Sequence, residues 1–399
     1  MNAEMTHDLV IVGGGLVGAS LAARLAGSRL KVLLIEAALP PASPPSWDER
    51  CIALNDASQR ILDAIGVWRL LAPDATPIRA THVSEKGRFG STRFDADEAG
   101  LAALGYNVPL RAIGAALSAA MAQAPNLDIR QPARVVSLQL EADSVVLGLD
   151  DGSVVRTRLV AAADGAQSSV RALLGIAAET RDYAQHAIVS AVRLSRPHQG
   201  VAYERFTPDG PMALIPKPDD AASLVWTVPS DMAGAMMDWT DDHYRAAAQD
   251  VFGGRLGRFT ALGARRAWPL ARVVSETVVA PRSVLIGNAA QSLHPVAAQG
   301  FNLGLRDVAN LADRILAADD PGQTQMLDDY AASRAIDRDR VTGFTDLLVR
   351  AFSNRLPGLA QARHWGLVAA SLAPPIRDAL LRQHLGHLGL PANAAAVSS

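Results

Sequence analysis

Cysteine is nearly absent from this sequence of 399 residues, and aromatic residues make up only 5% of it. The single cysteine, Cys51, excludes an internal disulfide, a cluster of thiolate metal ligands and a Cys-x-x-Cys redox pair. Any electron transfer by this protein therefore has to use a bound cofactor. The sequence predicts no metal site.

The sequence also lacks a long apolar run and a strong charge of one sign. The apolar stretch 9–23 contains four glycines and follows no Lys or Arg, and the stretch 365–376 is too short to cross a bilayer. We therefore expect a cytoplasmic protein without a membrane span. The formal net charge of −2 gives no reason to expect nucleic acid as a partner.

The small net charge hides an uneven distribution. Residues 334–399 include eight Arg, four Asp and no Lys or Glu, a charge of +4, so the residues before them carry −6. Apolar and basic residues of this segment could lie together on an anionic membrane surface, or its helix could pack on the rest of the protein. They are Phe344, Leu347, Leu348, Phe352 and Leu356 with Arg350, Arg355 and Arg363.

What the sequence does contain is a glycine-rich turn near its start. Residues 8–12 predict a buried strand, 13–18 the turn Gly-Gly-Gly-Leu-Val-Gly and 19–26 a helix. Residues 31–35 predict a second strand, which ends at Glu36.

The spacing of this turn matches the G-x-G-x-x-G fingerprint of dinucleotide-binding folds. Gly13 permits the reversal, Gly15 lets a pyrophosphate approach the backbone, and Gly18 lets the helix pack on the strand. Glu36 follows the next strand, where it can accept hydrogen bonds from ribose hydroxyls. The pattern predicts a dinucleotide site without separating FAD from NAD.

Two later segments repeat the order of strand and turn. Residues 159–163 predict a strand that ends at Asp164-Gly165, and 283–286 predict one that ends at Gly287-Asn288. After Gly300, apolar residues recur at helical spacing, and a turn that opens a helix directs N–H groups toward a ligand. The negative edge of a reduced isoalloxazine ring suits that position. These apolar residues are Phe301, Leu305, Val308, Ala312 and Ile315.

Together the three motifs resemble the FAD-dependent aromatic hydroxylases of the p-hydroxybenzoate hydroxylase type. The likeness is to their ubiquinone-biosynthesis branch, and within it to the hydroxylases of 2-polyprenyl-6-methoxyphenol. It also includes residues 48–54, 104–111 and 203–211, and it covers the chain from about residue 8 to at least residue 350.

The resemblance implies an α/β fold with a Rossmann-like FAD-binding domain, a β-sheet substrate domain and a helical C-terminal segment. We expect the FAD domain at 1–75, 100–175 and 276–335, the substrate domain at 76–99 and 176–275, and the C-terminal segment at 336–399. Strands of the substrate sheet are predicted at 186–194, 201–206, 212–216 and 222–228, with a strand pair between 78 and 94.

The resemblance also implies which residues contact FAD. Arg50 and Arg111 correspond to arginines that reach the phosphate and ribityl region, Val135 to the position near adenine, and Asp164 to a motif for both FAD and NAD(P)H. Asn288 replaces an Asp of most relatives but matches this branch, and Ala298 replaces a frequent Gly. The full set is Gly13, Gly15, Leu16, Val17, Gly18, Glu36, Ala37, Arg50, Arg111, Val135, Asp164, Gly165, Gly287, Asn288, Pro295, Gly300, Phe301 and Asn302.

The implied reaction is hydroxylation of the ring of a polyprenylated phenol in ubiquinone biosynthesis. It would proceed through a flavin C4a-hydroperoxide with O2 and with NAD(P)H or another reductant. NAD(P)H would visit transiently, since no second fingerprint occurs. His294 is the candidate that takes the phenol proton or orients the phenol. The alternative is a structural histidine whose ring forms hydrogen bonds with the loop backbone. Arg205 is either a pocket residue or an exposed strand residue, and Cys51 is expected to pack in the interior.

Two other functions remain open at this stage. An FAD-dependent prenyl reductase would share the fold and the lipid substrate, and a non-catalytic flavoprotein subunit of a ubiquinone-biosynthesis complex would keep FAD for stability. A flavin disulfide reductase needs a cysteine pair. A flavin halogenase usually has Trp-x-Trp, and no two tryptophans here are two positions apart.

Overall fold

A computed structural model of the chain describes residues 6–39, 50–88, 90–294, 299–352 and 373–389. Its helices are α1 Leu16–Leu25, α2 Asp56–Ala64, α3 Trp68–Leu71, α4 Leu110–Met121, α5 Ser169–Leu173, α6 Ser230–Asp238, α7 Asp241–Phe252, α8 Gln299–Ala317, α9 Thr324–Phe352 and α10 Pro374–Leu385. Short 3-10 turns lie at Ala72–Asp74, Asp97–Ala99, Gly287–Ala289 and His387–Gly389.

The strands belong to three sheets. They are β1 His7–Val12, β2 Val32–Ile35, β3 Cys51–Asn55, β4 Thr76–Ile78, β5 Ala80–Glu85, β6 Ser91–Asp95, β7 Gly105–Pro109, β8 Leu127–Arg130, β9 Val135–Leu140, β10 Val145–Leu149, β11 Val154–Ala162, β12 Ala178–Leu194, β13 Val201–Phe206, β14 Met212–Pro216, β15 Ala221–Pro229, β16 Phe259–Leu262, β17 Arg266–Ser275, β18 Val279–Ala280, β19 Ser283–Leu285 and β20 Gln291–Ser292.

The first sheet has eight strands and a parallel centre. Its order is β18-β19-β11-β1-β2-β8, with β10 paired to β11 and β9 to β10. Strands β19, β11, β1, β2 and β8 run parallel. In β1 the residues Leu9, Val10 and Ile11 are fully buried, as expected where both faces of a parallel sheet are covered.

The second sheet has nine strands in the order β20-β17-β12-β15-β14-β13-β5-β6, with β16 paired to β12. One face packs on α6 and α7, where Ile188, Leu224 and Trp226 belong to one buried cluster with Tyr244 and Phe252. The opposite face is turned toward other parts of the chain, including α10, where His384 lies 3.3 Å from Thr81 of β5.

A three-stranded sheet, β3-β7-β4, lies between the two larger ones. The side-chain amide of Asn107 on β7 donates hydrogen bonds to the carbonyl oxygen of Pro216 (2.8 Å) and to Ser223 Oγ (3.4 Å) of the nine-stranded sheet. Asn107 is 1% exposed. This buried amide therefore ties the second sheet to the small sheet.

Several element boundaries differ from the predicted ones. Helix α1 begins at Leu16, three residues before the predicted start, because Gly15 is already its N-cap with an extended backbone. Strand β12 begins at Ala178, well before the predicted 186, because it pairs with β17 as far as Ser275. β13 and β14 have the predicted bounds.

The strand pair predicted between 78 and 94 is β5 and β6, which join the nine-stranded sheet. The preceding strand β4 pairs with β7 of the small sheet. One expectation needs correction. Cys51 is half-buried rather than enclosed in the interior. The division of the chain into three domains stays a prediction.

Candidate functional site

The predicted motifs meet at one edge of the eight-stranded sheet. Glu36, Gly13, Asp164 and Gly287 follow β2, β1, β11 and β19, which are neighbours in that order. Because these strands are parallel, their carboxyl ends lie at the same edge, where open α/β sheets bind ligands. The fold therefore brings the three motifs together.

The first turn is closed on its protein side and open on its outer side. A Cβ on Gly13 (φ +105°) would lie 2.6 Å from the carbonyl oxygen of Ala163, and one on Gly18 would lie 1.9 Å from that of Gly13. A Cβ on Gly15 would meet nothing within 4 Å among the described residues. The turn therefore has room for a ligand beside Gly15.

Helix α1 directs its N-terminus into that room. In the described part of the chain no side chain caps it, and its first turn contains no acidic residue. Its first backbone N–H groups can therefore bind an anion, and the helix dipole favours one there. A pyrophosphate fits this position. Leu16 and Val17 form the first turn of the helix.

Glu36 holds the end of β2 against the turn. Its Oε2 accepts a hydrogen bond from the N–H of Gly14 (2.5 Å), and its Oε1 accepts one from the N–H of Ala38 (2.7 Å). Its carbonyl oxygen accepts from the N–H of Ala133 (2.9 Å), two residues before the buried Val135. Each carboxylate oxygen keeps lone pairs for further donors, such as ribose hydroxyls. Ala37 is half-buried beside it.

Asp164 has one oxygen in use and one without a partner. Oδ2 accepts from Ser169 Oγ (3.0 Å) and from the N–H of Val170 (3.1 Å), which fixes the start of α5. Oδ1 is buried, and no described residue donates to it. A buried acceptor without a donor is costly, so Asp164 fits a ligand that offers a hydroxyl or N–H. Gly165 has φ +90°.

The third turn packs directly on the first. A Cβ on Gly287 would lie 2.9 Å from Val17 Cγ2, and one on Gly304 would lie 2.7 Å from the same atom. The side chain of Val17 therefore packs between the third turn and α8, which the sequence pattern did not predict. Asn288 is exposed on this turn.

The comparisons with known proteins agree with this geometry. The family described as FAD binding domain matches residues 6–345. The chain is 38% identical to the ubiquinone hydroxylase UbiL of Rhodospirillum rubrum, over 98% of this chain and 92% of that protein. It is 35% identical to the 3-demethoxyubiquinol 3-hydroxylase of Escherichia coli, over 95% of this chain and 98% of that protein.

This chain belongs to the FAD binding domain family. Among solved structures, the p-nitrophenol 4-monooxygenase PnpA of Pseudomonas putida superposes with a TM-score of 0.78 at 18% identity, covering 96% of this chain and 99% of that one. The flavoprotein family, the α/β fold class and FAD as cofactor, all predicted from the motifs, are thereby confirmed.

Arg50 and Arg111 of this flavoprotein lie side by side in the fold, although they are far apart in sequence. Strands β3 and β7 pair with Cys51 opposite Pro109, and the N–H of Leu110 donates to the carbonyl oxygen of Arg50 (3.0 Å). Both arginines are exposed. The Arg50 guanidinium lies 5.3 Å from the ring centre of Trp268. Their contact with FAD stays a prediction.

The start of α8 is bound to another element of the fold through Asn302. The side chain of Asn302 accepts from the N–H of Asn55 (3.1 Å) and donates to the carbonyl oxygen of Ala53 (3.0 Å), so it joins α8 to β3. Gly300 and Phe301 are half-buried. Pro295 and Ala298 lie outside the described residues.

His294 lies in the interior at the end of the third motif. It is 1% exposed, and its ring meets the Tyr183 ring edge-on at 5.2 Å. Burial lowers the pKa of His294 to about 4. The imidazole is therefore neutral at pH 7 and a weak base, which favours the orienting role over proton removal. Its catalytic role stays a prediction.

A buried ion network supports the third turn, and the sequence analysis missed it. Asp307 Oδ2 accepts from the N–H of Gly287 (3.1 Å) and from Gln291 Nε2 (2.7 Å), while Oδ1 accepts from Arg334 Nε (2.8 Å). Asp337 pairs with Arg334 (2.7 Å) and with Arg306 (3.2 Å). The available signal was the pair Arg306-Asp307 between two apolar residues of the predicted helix.

Two kinds of feature are absent from the described residues. No helix there is long and apolar enough to cross a membrane. No group of three or more His, Cys, Asp and Glu side chains in that part of the chain could hold a metal ion.

Proposed function

We propose that this flavoprotein is a monooxygenase that hydroxylates the aromatic ring of a polyprenylated phenol in ubiquinone biosynthesis, using O2 and electrons from NAD(P)H. The observation that carries the proposal is the meeting of three flavin motifs at one sheet edge, with Tyr183 of the second sheet in contact with His294. The names of the two relatives support the substrate class.

Bound FAD supplies the electron transfer from the reductant to O2 and the oxygen atom that enters the ring. The chain itself has to hold the cofactor, exclude water and position the phenol. The N-terminus of α1 and Glu36 are suited to the pyrophosphate and the adenosine ribose. Asp164, with its buried free Oδ1, is suited to a further donor group of the cofactor.

A product assay tests the proposal. The purified yellow protein is given NAD(P)H, ¹⁸O₂ and a 2-prenyl-6-methoxyphenol with a short tail. We expect substrate-stimulated NAD(P)H oxidation and one ¹⁸O atom in the ring of the product. The methyl ether of the same compound is the control, since it has no phenol proton to lose.

The same assay separates the alternatives. A saturated prenyl tail without ring oxygen would establish a prenyl reductase. Absence of both products, with FAD retained, would favour a non-catalytic subunit of a biosynthetic complex. Either result would reject the hydroxylase proposal.

We also propose that the C-terminal segment contacts the membrane, because each methylene of a polyprenyl tail gains about 0.8 kcal/mol by leaving water. Of the described residues in this segment, Leu347, Ile376 and Leu388 are 62%, 47% and 40% exposed. Leu348 instead packs near Phe206. Leu356, Arg355 and Arg363 lie outside the described residues, as does the side chain of Arg350. Complexes with other pathway proteins stay a prediction.

Vesicle flotation checks this contact. The double variant Ile376→Asp with Leu388→Asp should recover less protein with phosphatidylglycerol vesicles than the unmodified chain. Ile129→Asp, on β8, is the control, since Ile129 is also exposed, at 49%. Failure of the unmodified chain to float, or equal recovery of the chain and the double variant, would contradict the proposal.

A further inference from the structure

One row of side chains crosses the middle of the nine-stranded sheet. Its members lie directly opposite one another on β12, β15, β14, β13 and β5. Residues opposite one another on paired strands point to the same face of the sheet. In order these are Val189, Val225, Ala213, Glu204 and Val83. The row is apolar except for one carboxyl group.

This row points away from α6 and α7. Ile188, Leu214 and Leu224, which adjoin row residues along their strands, pack in the cluster beneath those helices. Because successive residues of a strand alternate between faces, the row lies on the opposite face. That face meets the small sheet, since Ser223, two residues from Val225, binds Asn107 of β7.

The same face leads to the third flavin motif. Phe206 follows Glu204 by two residues on β13 and therefore shares its face. Phe206 is buried and packs near Tyr183. The Tyr183 ring in turn meets His294 edge-on. Phe206, which shares the face of Glu204, is thus two contacts removed from the histidine that precedes the start of α8.

The row is more exposed than its surroundings. All five members are half-buried, whereas residues around them on the same face are buried: Ser223 at 7%, Thr81 at 9% and Phe206 at 4%. Asn107 covers Ser223, and His384 of α10 lies 3.3 Å from Thr81. A partly exposed apolar row with a covered rim is suited to form the wall of a ligand site, since such sites are mostly apolar.

Glu204 is chemically out of place in this wall. No described residue forms a hydrogen bond or ion pair with it, and the enclosing protein raises the pKa of Glu204 to about 7. An apolar site disfavours a carboxylate that has no donor. A carboxyl group with a pKa near the working pH is also a better proton acceptor than the imidazole of His294.

We propose that Glu204 contacts the hydroxyl of the phenol substrate and accepts its proton during ring hydroxylation, a role that rests on the proposed function. The phenol O–H bond breaks, a carboxyl O–H bond forms on Glu204, and the electron pair stays on the phenol oxygen, which activates the ring. The O–O bond of O2 breaks, and one oxygen atom forms a C–O bond with the ring. The ring C–H bond breaks in turn, and its hydrogen returns to the phenol oxygen. NAD(P)H supplies the electron pair as a hydride and solvent supplies one proton. The second oxygen atom leaves as water together with the proton that Glu204 held.

The test compares Glu204→Gln with Glu179→Gln in the FAD-loaded full chain. Gln has nearly the shape of Glu but cannot take up the proton. Glu179 is a matched control because it lies on β12 with its carboxylate paired to Arg272 (3.1 Å) on an exposed surface. FAD content and thermal melting establish that each variant is folded, and Glu204→Asp is included as a conservative rescue.

Two measurements are made on each variant. The first is the rate of ring hydroxylation, which we expect to fall at least about 100-fold in Glu204→Gln, with NAD(P)H consumption diverted to H2O2. The second is the ultraviolet band of the bound short-tail phenol without reductant, which should shift toward phenolate in the unmodified chain and not in Glu204→Gln. Glu179→Gln should match the unmodified chain, and Glu204→Asp should recover part of both signals.

The outcomes separate this role from the proposed function. A hydroxylating unmodified chain together with an equally active Glu204→Gln, or with the same phenolate band in both, would overturn the role of Glu204 alone. If the unmodified chain binds the phenol without ever hydroxylating it, the proposed function fails, and the role of Glu204 fails with it.

Discussion

Gly15 and Gly18 of the first turn lie three residues apart but have very different surroundings. A side chain on Gly18 would collide with the backbone of Gly13, whereas one on Gly15 would enter open space. Gly18 is therefore needed for folding, whereas we expect Gly15 to be needed for the ligand.

This contrast predicts that Gly18→Ala destabilises the protein by about 3 kcal/mol or more. Gly15→Ala should change the stability of the FAD-free chain by less than about 1 kcal/mol and weaken FAD binding at least about tenfold. Urea unfolding and a fluorescence titration with FAD measure the two effects. Gly114→Ala, within α4 and without a neighbour within 4 Å, is the control and should stabilise by about 0.5–1 kcal/mol. Equal stability of Gly15→Ala and Gly18→Ala would contradict the assignment.

A buried neutral histidine makes stability depend on pH. The pKa of His294 is lowered from 6.5 to about 4, so the unfolded chain binds more protons between those values. The contribution of this group is therefore complete above pH 6.5 and is lost as the pH falls toward 4.

We expect the free energy of unfolding to fall by about 2 kcal/mol more between pH 8 and pH 5 in the unmodified chain than in His294→Gln. Denaturant unfolding at the two pH values measures this difference. His243→Gln, at the exposed start of α7, is the control. An unmodified chain that loses no more stability than His294→Gln would show that the ring is protonated in the folded state.

At the scale of elements, α8 and α9 are joined by ions rather than by apolar side chains alone. Asp307, Arg334 and Arg306 are each 1% exposed and Asp337 is 4% exposed. Removal of one charge from such a network leaves another buried without compensation. Because Asp307 also binds the N–H of Gly287, the network holds the third flavin turn.

Asp307→Asn should therefore cost about 3–5 kcal/mol and lower the FAD content of the purified protein. Asp313→Asn is a matched control on the same helix, where the ion pair with Arg24 (3.0 Å) is partly exposed, and it should cost less than about 1 kcal/mol. Urea unfolding and the flavin absorbance of the purified variants measure both. A loss of similar size in the two variants would show that the network contributes no more than a surface pair.

At the scale of the whole molecule, FAD is expected to bridge parts of the chain that are distant in sequence. The ends of β1, β2, β11 and β19 meet at its site, with the small sheet beside them. A ligand that binds only the folded chain stabilises all of it together.

Removal of FAD should lower the free energy of unfolding by about 2.7 kcal/mol relative to the protein at a free FAD concentration of 100 Kd. Thermal melting of the FAD-free chain across a series of FAD concentrations measures this. FMN, which lacks the adenosine half that we expect near Glu36 and Val135, should stabilise less at equal concentration. A melting temperature that does not respond to FAD would contradict the predicted site.

The sequence could predict which turns meet at one edge of the eight-stranded sheet because its signals are local. The turn 13–18, Asp164 and Gly287 each directly follow a buried apolar strand, and this order survives in the structure. Parallel strands then bring their carboxyl ends together without further information. Local signals predict the ends of strands less accurately, because pairing with a distant strand can extend them. β12 is longer than predicted because β17 pairs with it.

The apolar row around Glu204 and the ion network could not be predicted from the sequence because both depend on contacts between distant segments. Alternation along β13 puts Glu204 on one face and Tyr203 on the other, but packing of the sheet that β13 forms with β14 and β5 decides which face is covered. The role of Asp307 depends on its ion pair with Arg334, which lies on another helix.

The sequence by itself therefore determined the family, the cofactor and the turns that meet at one edge of the sheet, since these depend on residues adjacent in the chain. The tertiary structure alone decided the partners of Asp307 and which side chains form the row that contains Glu204. Both arise from packing between elements, and packing sets the desolvation that changes the pKa of Glu204 and His294.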